Sequence, residues 1–206
     1  MNSIDKLSEI FGKFPGIGPR QARRFVYFLL SRTGNYTSEL VQAVQDIKKE
    51  IIQCTECMRF FAKEALGHSV SKCGICTDET RDASMLMIVP RDIDMEAVEK
   101  SSSYNGFYFV LGGVVPILEK EPEKRIRIKE LESRLRREAT GGQARIKEII
   151  LGMNANIEGE NTAEYLRQHI GPTYVISTLG RGLSTGAELE YADPETLKNA
   201  FLHRTN

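Results

Sequence analysis

The stretch FPGIGPRQARRF, Phe14 to Phe25, packs two glycines, two prolines and three arginines into twelve residues. Glycines at alternate positions permit a tight turn with positive φ, and proline suits the first position of a helix, where its missing N–H is not needed. The stretch therefore predicts a hairpin feeding a helix that starts at Pro19. At ~100° per residue, Arg20, Arg23, Arg24 and Tyr27 share one side of that helix, while Ala22, Phe25, Val26 and Leu29 share the other. One side packs. The other presents three guanidiniums beside the N–H groups of the turn and the helix start, an anion site made from backbone and side chain together. Its candidate contact residues are Gly16, Gly18, Arg20, Arg23 and Arg24.

Lys+Arg and Asp+Glu number 28 each in 206 residues, so no global field favours a polyanionic partner and any such site is local. From Ile10 to Ser38 the charged residues are Lys13, Arg20, Arg23, Arg24 and Arg32, with no acid among them. The anion is then a backbone phosphate of DNA or a small phosphorylated metabolite. Hydrophobic residues at 41% and charged ones at 27% are ordinary for a globular chain. No run of about 18 apolar residues is present to span a bilayer, so the protein is expected to be cytoplasmic with no membrane partner. Ile4, Leu7, Ile10 and Phe11 predict one face of a first helix, and Leu40, Val44, Ile47 and Ile51 one face of a third.

Every cysteine falls in one pattern: Cys54-x2-Cys57, fifteen residues, Cys73-x2-Cys76. Two such knuckles place four thiolates at the corners of a tetrahedron, the geometry zinc accepts with Zn–S near ~2.3 Å. A pair of disulfides is the alternative, which a reducing cytoplasm disfavours. Four sulfur ligands leave no open position for water or substrate, so the zinc is structural, one per chain. His68, between the knuckles, reads as a surface residue. The segment is too short for a core of its own and needs the metal to hold it.

After Asp82 apolar runs at 84–90, 107–113, 146–152 and 173–177 alternate with helical stretches near 93–101, 124–138 and 161–170, predicting an α/β unit with a mostly parallel sheet. The charged segment EKEPEKRIRIKELESRLRRE would turn Ile128, Leu131 and Leu135 toward that sheet.

The turn resembles the helix-hairpin-helix motif, which grips DNA backbone phosphate without reading bases. The whole order of modules, with FVLGGVVPIL, ANIEGENTAEYL and RGLSTGAELEYAD following the cysteines, resembles the bacterial recombination mediator family RecR. The resemblance implies an α+β multi-module chain: a helix-hairpin-helix domain over 1–53, a four-cysteine zinc finger over 54–77, a Toprim domain over 80–177 and a C-terminal segment for oligomer assembly over 178–206. It also implies a ring-like homotetramer around duplex or gapped DNA, and work with RecO, and in many bacteria RecF, to load RecA. The basic residues matching Arg20 and Arg24 are implied to contact DNA.

Toprim enzymes hold Mg²⁺ on clustered carboxylates at strand ends. Here the first strand ends in Val89-Pro90 and the later one runs into Asn154-Ala155-Asn156, which supply no charge, and the family's usual Glu is replaced by Pro90. Asp92, Asp94, Glu158 and Glu160 lie close by in sequence and read as solvated loop acids and capping groups rather than as an unconventional cluster. The expected protein is therefore a DNA-binding adaptor and not an enzyme. A Toprim nuclease or primase and a pure protein scaffold are the competing classes.

Overall fold

The computed structural model describes residues 1–63, 71–140 and 145–204, without the side chains of 139 and 140. The reading of His68 lies outside the described residues. The chain divides into two units, Met1–Ile52 and Gln53–Asn206.

In the first unit, α1 (Ser3–Phe11) is capped by the Asn2 side chain, which accepts from Asp5 N at 2.9 Å. A turn follows in which Ile17 N donates to Phe14 O at 3.1 Å. Pro15 takes its second place and Gly16, with φ +75°, its third, as in a type II turn. Gly18 does not share the positive φ; it is the extended N-cap of α2 (Pro19–Leu30) at φ −81°. Phe11 meets both Phe14 and Phe25 edge to face at 5.8 Å, closing the hairpin over the buried Ala22 and Val26.

The third helix, α3 (Gly34–Glu50), departs from expectation. Ile51 falls outside it, in β1 (Ile51–Gln53), and none of its residues is buried. Val44 and Ile47 are each 59% exposed. The apolar periodicity is real, but within Met1–Ile52 nothing covers it.

In the second unit, β2 (Phe60–Ala62) follows the first cysteine pair and a single helical turn, α4 (Gly74–Thr77), carries the second. Four strands then form one sheet: β3 (Asp82–Val89), β4 (Gly106–Val110), β5 (Glu148–Leu151) and β6 (Val175–Thr178). Their order is β4-β3-β5-β6 and all three pairings are parallel. The helices between them are α5 (Asp92–Ser101), α6 (Ile128–Thr140) and α7 (Ile157–Ile170). Helix α6 starts four residues later than 124 because a separate 3₁₀ turn, Pro122–Lys124, precedes it. Helix α7 starts four residues earlier than 161, because Asn156 caps it by accepting from Gly159 N at 2.8 Å.

Alternate residues of the strands point to opposite faces. Leu86, Ile88, Phe109, Ile149 and Leu151 join Ile128, Leu131 and Leu135 of α6 and Ala163, Leu166 and Ile170 of α7 in one core. Met87, Val89, Tyr108 and Val110 join Met95 of α5 in the other. Both faces of the sheet are covered, as parallel strands require. The C-terminal stretch holds a 3₁₀ turn, Leu189–Tyr191, and α8 (Pro194–Leu202), with Tyr191, Phe201 and Leu202 exposed.

Candidate nucleic-acid interface and metal centre

Arg20, Arg23 and Arg24 are all exposed on α2, opposite the buried Ala22 and Val26. The wheel does not show that they are held differently. Arg23 lies 3.6 Å from Asp5 of α1, so part of its charge is met within the unit. Arg24 Nη1 donates to Gln21 Oε1 at 3.5 Å, and among the described residues neither it nor Arg20 has a carboxylate within 4.0 Å. Lys13 pairs with Glu9 at 3.5 Å and Arg32 lies over the Phe28 ring at 4.3 Å. Of the five cations, Arg20 and Arg24 are thus left facing solvent beside the helix start. Gly18 supplies no side-chain cap there, and a Cβ added to it would meet open space. Its backbone conformation does not demand glycine either. Glycine at that place leaves the backbone bare.

The four cysteine sulfurs lie within 4.8 Å of one another, with Cys54, Cys57 and Cys73 buried and Cys76 half-buried. Cys57 Sγ and Cys73 Sγ are 3.5 Å apart, near the ~3.8 Å edge of a tetrahedron with ~2.3 Å metal–sulfur bonds. The four sulfurs converge on one point rather than separating into two bonded pairs, which favours a metal site over two disulfides. The knuckles are tight turns. Met58, at φ 61°, donates its N–H to Cys54 O at 3.0 Å, and Cys76 N donates to Cys73 O at 3.0 Å. Thr55 N donates to Ser71 O at 2.9 Å and joins the two turns. Donation from the thiols of Cys57, Cys73 and Cys76 pulls the Cys54 pKa well down, whereas crowding, with Cys54 first among the neighbours, pushes Cys76 well up. The donor set fits a closed, four-sulfur metal site.

At the strand ends three of the four acids find other employment. Asp92 Oδ1 accepts from Phe60 N at 2.7 Å, Asp94 lies 3.2 Å from Arg91, and Glu160 lies 2.5 Å from Arg181. Among the described residues the four cysteines form the one group of three or more ligand side chains close enough to share an ion.

Sequence reasoning missed what ENTAEYL does. Thr162 Oγ1 accepts from Val115 N at 2.8 Å and Asn161 Nδ2 donates to Val115 O at 2.9 Å, so α7 holds the loop after β4 by both backbone groups of one residue. It also missed Arg127 and Arg134, which the charged segment EKEPEKRIRIKELESRLRRE does not set apart from its other charges. Arg134 is 5% exposed.

A hairpin of two helices with a bare glycine turn, a four-cysteine knuckle pair and a two-sided parallel α/β sheet define a class: modular nucleic-acid proteins with helix-hairpin-helix and Toprim parts. Family models match in the same order, "RecR, helix-hairpin-helix" over residues 4–48, "Toprim domain" over 84–179 and "RecR, C-terminal" over 182–205. Curated relatives named Recombination protein RecR include that of Staphylococcus saprophyticus, 37% identical over 98% of this chain and 96% of its own length. That of Chloroflexus aurantiacus is 37% identical over 96% and 91%, and that of Chlorobium luteolum 35% identical over 99% and 97%. The chain belongs to the RecR family of recombination proteins.

Proposed function

We propose that this chain is a non-enzymatic DNA-binding clamp and adaptor in recombinational DNA repair, acting in the cytoplasm at the nucleoid. It holds duplex and gapped DNA by backbone phosphate through Gly16, Gly18, Arg20, Arg23 and Arg24. The observation that carries this is the pair of guanidiniums, Arg20 and Arg24, that have no carboxylate partner among the described residues, beside an uncapped glycine helix start. Phosphate at that position meets backbone N–H groups, the positive end of the helix and two cations at once. Arg23, shared with Asp5, contributes less.

One hairpin makes few contacts, so the working form is a homo-oligomer, a tetramer by family resemblance, whose hairpins act on one DNA. The uncovered apolar stripe of α3 supports assembly, since a helix with no buried residue gains most of its stability from packing. Zinc on Cys54, Cys57, Cys73 and Cys76 would hold the knuckles and take no part in chemistry. RecO, and RecF where the organism has it, are the partners with which the protein would load RecA on gapped DNA. Pro90, Asn154 and Asn156 stand where a Toprim enzyme needs carboxylates, so no phosphoryl transfer is assigned.

The test is binding of a gapped duplex, followed by fluorescence anisotropy, with wild type and Arg20→Ala/Arg24→Ala. The double variant should bind at least tenfold more weakly with unchanged zinc content. Wild-type affinity in the variant would move the DNA surface elsewhere.

A further inference from the structure

The first knuckle lies along the open side of β4, the edge strand of the sheet. Val110 N donates to Cys57 O at 2.8 Å. Arg134 Nη1 donates to Glu56 O at 3.1 Å and to Tyr108 O at 2.7 Å, and Arg127 Nη1 donates to Met58 O at 3.1 Å and to Val110 O at 3.0 Å. Three consecutive knuckle carbonyls, 56 to 58, are therefore held by β4 or by a guanidinium that also holds β4. Gly112 leaves the room: a Cβ there would come within 3.0 Å of the Arg127 Cζ.

These arginines answer to no acid. Among the described residues no carboxylate lies within 4.0 Å of either guanidinium, although Arg134 is 5% exposed and its Nε has no partner. A buried cation without a counter-charge is costly, and carbonyl dipoles offset only part of that cost. Four thiolates around one divalent ion carry a net charge of −2, and Cys76 and Arg134 border the same cavity of about 170 Å³, together with the acids Glu56 and Glu138 and the cations Lys72 and Arg145. Glu56 is met by Lys72 and Arg137 at 3.1 Å each, so the loaded metal centre adds negative charge toward the buried guanidinium that this acid does not supply.

We infer that Arg134 and Arg127 are positioning residues of the metal centre: they orient the Cys54–Cys57 turn through its carbonyls and offset the charge of the four-thiolate site, so that metal affinity is set partly by the sheet edge. This rests on the metal reading of the four cysteines. Groups that orient metal ligands from outside typically change affinity by about 10–100-fold when removed.

The experiment measures zinc affinity of the full chain by competition with a chromogenic chelator, after zinc content has been determined. Arg134→Met should weaken binding by about tenfold or more, Arg127→Met by a smaller factor, and Arg134→Lys, which keeps the charge and one donor, should fall between. Leu166→Ala, a core truncation on α7 that removes no knuckle bond, should leave zinc affinity near wild type. Wild-type affinity in both methionine variants overturns the inference, as does an equal loss in Leu166→Ala, which would mean general loosening. If Arg134→Met fails to fold, Arg127→Met and Arg134→Lys decide by the same comparison. A wild type that binds no zinc would overturn the metal reading itself and this inference with it, whereas normal loading with unchanged affinities overturns the inference alone.

Discussion

At the scale of the residue, three of the groups proposed for function, Gly18, Arg20 and Arg24, are ones the fold does not use, whereas Gly16 makes the turn and Arg23 pairs with Asp5. Among the described residues Arg20 and Arg24 make no ion pair, and Gly18 meets no internal steric demand. Arg20→Ala with Arg24→Ala should shift stability by no more than about 0.5 kcal/mol per site, since surface substitutions away from special features rarely do more. On duplex DNA the slope of log K against log salt should become shallower by about 0.9 per lost contact, and equally for any sequence, because phosphates carry no base identity. A salt titration of both proteins checks this, and an unchanged slope would refute the assignment. Gly18→Ala separates fold from contact more finely. Its φ of −81° suits alanine and its Cβ would meet open space, so melting should be near wild type while DNA affinity falls, the methyl group standing where phosphate approaches bare backbone. Retained affinity would show that nothing comes close to that residue. The cysteines behave oppositely. Cys73→Ser removes a buried ligand, and zinc content should drop below one per chain together with much of the ~10–16 kcal/mol apparent binding energy typical of such sites. Stoichiometric zinc in that variant would exclude Cys73 as a ligand.

At the scale of the element, features with local causes were legible in the sequence. The proline-glycine turn, the helix start at Pro19, the cysteine spacing and the four apolar runs each depend on residues a few positions apart. What needed the third dimension was not. The Arg23–Asp5 pair exists only because α1 lies against α2, and a buried arginine such as Arg134 has the same sequence signature as a solvated one. Helix α3 is the instructive case. Its apolar period holds for Leu40, Val44 and Ile47 but not for Ile51, which lies in β1, and periodicity says that a face wants cover without saying which chain provides it. Leu40, Val44 and Ile47 recur at intervals of four and three, the seam spacing by which helices of separate chains pack. Val44→Glu with Ile47→Glu, placed on a face already exposed in the single chain, should leave its fold and zinc content intact and reduce the assembled mass measured by light scattering. Wild-type mass in that variant would mean that assembly uses other surfaces.

At the scale of the whole molecule, the equality of 28 basic and 28 acidic residues decides how DNA affinity is built. A neutral protein has no long-range field to gather counterions, so the salt dependence of binding counts local phosphate contacts and little else. A single hairpin with Arg20 and Arg24 free accounts for a slope of about 2, at ~0.9 per contact. Several hairpins on one DNA add their slopes, and each contact after the first is made at an effective concentration fixed by the assembly. The α3 variant tests this directly, since it is expected to disperse the assembly without touching α2. Measured on the same gapped duplex, the wild type should show at least twice the slope of the dispersed variant and a clearly higher affinity at low salt, with the advantage shrinking as salt rises. A dispersed variant with the wild-type slope and affinity would mean that one hairpin does all the binding, and the proposed link between assembly and DNA retention would fall.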